Sequence, residues 1–124
     1  MSDLESVVDA WLTVPDLAER LGTDPTEVRR MIEERRVLAV RRGDPRVVSV
    51  PEAFVAAAAA GGAPEVLPWL QGTVNVLADS GFDDESAIAW LFTPDDSFPG
   101  GSPIAALRSG HKTEVRRRAQ ALAL

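Results

Sequence analysis

The chain has no cysteine, a single histidine and no long apolar run, and each of these absences removes a class of function. Without cysteine there is no disulfide, no thiol chemistry and no cysteine-ligated metal. The histidine, His111, lies between Gly110 and Lys112. A helix start or surface position suits it better than a zinc site, which needs partners the chain lacks. The longest apolar stretch, Phe54 to Ala60, is mostly alanine and stops at Gly61-Gly62. Crossing a bilayer takes ~20 apolar residues. The N-terminus, Met1-Ser2-Asp3-Leu4-Glu5, has no base and so the wrong sign for a secretory signal. These absences predict a cytoplasmic protein with no cofactor, no metal and no membrane partner.

Catalytic constellations are missing too. The acids Asp83, Asp84, Glu85, Asp95 and Asp96 do not follow calcium-loop spacing. Asp83 or Asp84 is better explained as a helix cap near a favourable N-terminal dipole. Gly100-Gly101-Ser102 is too short to cradle a phosphate without a strand before it. No paired carboxylates and no Ser/His/Asp set stand in a supporting context. The chain is expected not to be an enzyme.

Bases are absent from two whole segments, and this makes the net charge of −6 over 124 residues misleading. Residues 1–19 carry five acids and no base, and residues 51–107 carry eight acids and no base. The positive charge is concentrated elsewhere. Residues 20–50 hold eight arginines against five acids, and residues 108–124 hold five bases against Glu114. Affinity for DNA depends on local cations facing phosphates, not on the whole-chain sum.

The first positive segment is also where local signals are strongest. Leu4, Val7, Val8 and Trp11 recur at helical spacing, which predicts a short first helix. Thr13-Val14-Pro15-Asp16 reads as a capping box that opens a second helix, and Gly22 ends it. Asp24-Pro25-Thr26-Glu27 repeats the start signal, so a third helix is expected from Pro25 to about Arg36. Two β-rich runs, Leu38 to Arg42 and Arg46 to Val50, flank the turn Gly43-Asp44-Pro45 and predict a hairpin. Ser49-Val50-Pro51-Glu52 reads as another capping box, opening an alanine-rich helix over 51–60. Gly61-Gly62-Ala63-Pro64 marks the expected boundary between domains at 1–62 and 63–124. Beyond it, helices are expected at Pro68 to about Ser80, from Asp83 or Asp84 to Phe92, at Pro103–Arg108 and at Lys112–Leu122.

A helix-turn-helix requires a small residue where its helices close, a turn residue tolerant of positive φ, and apolar inner faces. Ala18 fills the first slot and Gly22 the second, while Leu17, Leu21, Val28 and Met31 fill the apolar positions. With the hairpin as a wing, the fold class is mainly α with a small β-hairpin: a winged helix-turn-helix followed by a C-terminal helical domain. On the third helix Val28, Met31 and Ile32 form the buried stripe, leaving the arginines outside. Thr26, Arg29 and Arg30, near its start, are the candidates for reading bases. The wing arginines Arg41, Arg42 and Arg46 are candidates for phosphates or a minor groove, and Arg36, outside on the third helix, is a further DNA-binding candidate. For any one arginine the competing role is an i,i+4 pair, as Arg29–Glu33 or Arg30–Glu34.

With those residues placed, the chain resembles a family of small actinobacterial winged helix-turn-helix DNA-binding proteins. The mycobacterial member of that family is a Ser/Thr-kinase substrate. The resemblance rests on Asp16-Leu17-Ala18-Glu19-Arg20-Leu21-Gly22 through Val37-Leu38-Ala39-Val40-Arg41-Arg42. It rests also on Trp90-Leu91-Phe92-Thr93-Pro94-Asp95, Pro103-Ile104-Ala105-Ala106-Leu107 and Glu114-Val115-Arg116-Arg117-Arg118-Ala119-Gln120-Ala121. It implies double-stranded DNA as partner, transcriptional regulation, and binding tuned by phosphorylation. One departure concerns that tuning: no threonine precedes Thr13 here, so the relative's acceptor threonine has no counterpart and kinase control is not carried over. The C-terminal half also resembles, more loosely, the toxin-binding part of bacterial antitoxins, with Trp90, Leu91, Ile104, Leu107 and Val115 at its apolar positions. That gives the alternative function, a protein-interaction module. In the last helix Val115, Ala119 and Leu122 can either pair two copies or close the core.

Overall fold

The computed structural model describes residues 4–43, 45–57 and 64–123. In chain order the first half holds α1 (Leu4–Val7), β1 (Trp11–Thr13), α2 (Val14–Leu21), α3 (Pro25–Glu33), β2 (Val40–Arg42) and β3 (Val47–Pro51). A 3₁₀ turn over Glu52–Phe54 leads to β4 (Val55–Ala56). The second half holds β5 (Glu65–Val66), α4 (Leu70–Asp79), α5 (Asp84–Phe92), α6 (Pro103–Arg108) and α7 (Lys112–Gln120).

The helix-turn-helix forms where its local chemistry dictates. The Asp16 amide donates to Thr13 Oγ1 at 3.2 Å, and the Glu27 amide donates to Asp24 Oδ1 at 2.9 Å. Each cap satisfies one of the amides that a helix start leaves without a partner. Between them Gly22 sits at φ 73°, and the Thr23 amide returns to the Ala18 carbonyl at 2.9 Å. The same wrap closes α3, with the Arg36 amide on the Met31 carbonyl at 2.9 Å, but there Arg35 takes the left-handed position at φ 59°. That turn stops α3 at Glu33, three residues short of the expected Arg36. Nothing lies within 4 Å of a Cβ built on Gly22, so its replacement meets only backbone strain. Gly22→Ala should therefore destabilise the protein by about 1 kcal/mol, the left-handed penalty of an L residue. A denaturant titration that finds no loss would show that the turn relaxes.

Two expectations fail because strand pairing over long range outweighs local pattern. Trp11 is not on the first helix: it opens β1, which pairs antiparallel with β3 as Trp11↔Pro51, Leu12↔Val50 and Thr13↔Ser49. The winged sheet thus has three strands, in the order β1-β3-β2. Residues 51–57, the described part of the expected helix over 51–60, do not form an α-helix. Ser49 is buried inside β3 with its hydroxyl donated to the Val47 carbonyl, so it caps nothing. Beyond the 3₁₀ turn, Val55 and Ala56 pair with Val66 and Glu65. Helix propensity is a weak prior against such pairing. Asp44 of the wing turn and residues 58–63, including Gly61-Gly62-Ala63, lie outside the described residues.

The second half follows its caps more closely. Asp83 accepts the Ser86 amide at 2.8 Å and starts α5, and Ser102 accepts the Ala105 amide to start α6. His111 is exposed, one residue before α7. Helix α7 ends at Gln120, and a 3₁₀ turn over Ala121–Ala123 follows it. Leu91, Ile104, Leu107, Val115 and Ala119 are buried and Trp90 is half-buried against them, so this apolar set closes the core. Leu122 is the exception, 40% exposed. The core is continuous between the halves. Phe54 of the 3₁₀ turn is fully buried, its ring centroid 5.5 Å from that of Phe92 on α5.

Candidate nucleic-acid interface

Strand alternation assigns the wing arginines to opposite faces. Arg41 is registered with Val48, and β3 carries Val50 two residues further on the same face, in the core opposite Leu12. Arg42 points the other way. It donates to Glu5 through Nε at 2.7 Å and Nη2 at 2.5 Å, and its guanidinium lies 4.9 Å from the Trp11 ring centroid. That fork holds the Glu5 carboxyl below the usual carboxylate range and raises Arg42 in turn. Arg42 is therefore committed to α1 and β1, away from the recognition helix.

Between α3 and the wing runs a groove of about 460 Å³, lined by Val14, Ile32, Val47 and Val48 and edged by Arg29, Arg41 and the acid Glu33. Neither arginine has an ion-pair partner among the described residues. The Arg29–Glu33 and Arg30–Glu34 pairs do not form. Instead Glu27 draws Arg30 to 3.4 Å and Arg36 to 3.7 Å, which offsets part of the charge of both. Thr26 is exposed in the first turn of α3. Arg46, also exposed and without a carboxylate partner among the described residues, lies with Arg41 beside the acidic start of α5 at Asp83 and Asp84. There Asp84 holds Arg35 at 3.1 Å.

The structure thus brings Arg29 and Arg41 to one groove, with Arg46 further along the wing. It leaves Arg30 and Arg36 tied to Glu27 and turns Arg42 to the opposite face. Sequence reasoning did not pick out Val47, which is 43% exposed at the groove's rim, registered with Arg42, and offers an apolar surface where only charge was expected. Its signal was present, an apolar residue just beyond the turn, but a strand edge and a binding wall look alike in one sequence. Among the described residues no helix is long and apolar enough to cross a membrane.

The comparisons with known proteins agree with the fold. Residues 4–55 match the family described as DNA-binding protein Rv2175c, wHTH domain, and residues 67–123 match the Rv2175c C-terminal domain of unknown function. The DNA-binding protein Rv2175c of Mycobacterium tuberculosis is 32% identical over 121 residues, covering 89% of this chain and 78% of the relative. The NMR structure of Rv2175c superposes with a TM-score of 0.77 at 32% identity, covering 93% of this chain and 82% of that one. With a winged helix-turn-helix in its first half and the helical domain in its second, this chain belongs to the Rv2175c family.

Proposed function

We propose that this protein binds double-stranded DNA through α3 and the wing and acts in the cytoplasm as a transcriptional regulator. One observation carries the reading: Arg29 and Arg41 line a shared groove, and neither is drawn into an ion pair among the described residues, Glu33 on the same groove included. A recognition helix enters a major groove with its first turns, and Thr26 and Arg29 occupy them. Arg41 and Arg46, exposed on the wing, are suited to phosphates. Val48, registered with Arg41, adds an apolar surface of the kind that meets a thymine methyl group. The relative's name, DNA-binding protein Rv2175c, supports the same partner.

Binding of a labelled random duplex, followed by anisotropy from 50 to 300 mM KCl, tests this. Two phosphates neutralised by Arg41 and Arg46 make the winged interface contribute about −1.8 to the slope of log K against log salt, at ~0.9 per phosphate. No saturable binding at 50 mM salt would reject DNA as the partner. Selection from a random pool then tests regulation. A specific site should bind at least ~10³-fold tighter than random sequence. A protein that binds all duplexes alike would keep the DNA reading and lose the regulatory one.

A further inference from the structure

A second cationic site lies on the helical half, apart from α3 and the wing. Helix α7 carries Lys112 and Arg116 one turn apart, so both project on one side of the helix. They line a groove of about 560 Å³ against the start of α4, together with Trp69, Gln71, Gly72 and Arg117. No acid lines it. Lys112 and Arg116 have no ion-pair partner among the described residues, whereas Arg117 and Arg118 share Glu114. Both free cations are held in place by neutral neighbours. The Lys112 ammonium sits 5.1 Å from the Trp69 ring centroid, a cation–π contact that keeps the charge while fixing its position. The Arg116 guanidinium packs onto Gly72, where any Cβ would overlap its terminal nitrogen. A preorganised pair of charges in an acid-free groove suits a polyanion.

The groove is also tied to the reading head. Gln71, on its edge, donates through Nε2 to the carbonyl of Glu34, the residue that closes α3, at 3.0 Å. A ligand lying along it is thereby registered against the recognition helix. We propose that Lys112 and Arg116 form a second DNA-backbone site, which contacts phosphates of the same duplex outside the stretch held by α3 and the wing. This rests on the DNA reading above and extends it to the C-terminal domain. The groove offers two fixed charges and no deep apolar pocket, because Trp69 is already covered by Lys112. That favours a phosphodiester backbone over an acidic protein segment, which would need apolar anchors as well.

Lys112 is the only lysine in the chain, so the untouched protein carries its own probe. Brief acylation by an amine-reactive ester, read by mass spectrometry, should slow at least fivefold at Lys112 when a saturating 30-base-pair duplex is added. Independently, these two contacts should add about −1.8 to the slope that the winged interface gives alone, at ~0.9 per phosphate, and Lys112→Gln with Arg116→Gln should remove that increment. Far-ultraviolet circular dichroism should be unchanged, and Arg116→Lys should restore half of that loss. Duplex binding with Lys112 acylated at its full rate, or with an unchanged slope in the double variant, would overturn this site and leave the winged interface standing. Protection of Lys112 by polyglutamate and not by duplex would also overturn it, in favour of an acidic protein. A wild-type protein that binds no duplex would remove both readings together.

Discussion

Replacing Arg29 and Arg41 together with alanine should weaken duplex binding about 30- to 1,000-fold and leave the fold intact. The magnitude follows from two contacts worth about 1–2 kcal/mol each, Arg29 on a base edge and Arg41 on a phosphate. Both side chains are exposed and neither is in an ion pair among the described residues, so folding loses little with them. Surface changes of this kind usually stay within about 0.5 kcal/mol. Arg42→Ala is the informative contrast. It removes the hydrogen bonds to Glu5 and the stack on Trp11 but should barely move the salt slope, because its charge is already compensated. Arg30→Ala and Arg36→Ala should fall between, since Glu27 offsets part of each charge. Anisotropy titrations of the four variants give the order. If Arg42→Ala loses binding while the Arg29/Arg41 pair does not, the wing faces DNA with its other side and the groove described above is not the interface.

The order of these arginines could not be read from the sequence, whereas the motif that presents them could. Everything that defines α2 and α3 lies within a few residues: the Thr13 and Asp24 caps, the left-handed Gly22, and the apolar spacing of Leu17, Val28 and Met31. Such signals survive in a single chain because the physics behind them is local. The partner of Arg42 is 37 residues away, as Glu34 is from Gln71, and no spacing rule links those positions. The same reason hid β1, β4 and β5. A strand of two or three residues is too short to show alternation, and its partner alone defines it. The alanine run after Pro51 reads as helix to any propensity scale, yet Val55 and Ala56 are claimed by Val66 and Glu65. Charge segregation was legible in total and silent in detail, since it located the basic segments without showing which cations are spent internally.

Phe54→Ala should be the most damaging single change to the fold, at about 3–5 kcal/mol for truncating a fully buried aromatic residue. A domain of this size has only about 5–15 kcal/mol in all, so the variant is expected to lie near the limit of stability. Its position makes the consequence wider than a local cavity. The ring is fully buried against Phe92 of α5, while the Phe54 carbonyl accepts the Leu67 amide at 3.0 Å. Arg108 of α6 donates to the carbonyls on either side of it, Ala53 at 2.8 Å and Val55 at 2.7 Å. The 3₁₀ turn is thus a joint that both halves grip. If the halves share one core energetically, native-state hydrogen exchange should show core amides of α2 and α5 losing protection by the same amount in Phe54→Ala. Equal losses would mean that the boundary at 62/63 separates sequence segments and not folding units. Protection lost in α5 but retained in α2 would instead show a winged domain that folds alone, and would make the C-terminal domain an attachment whose orientation the joint merely sets.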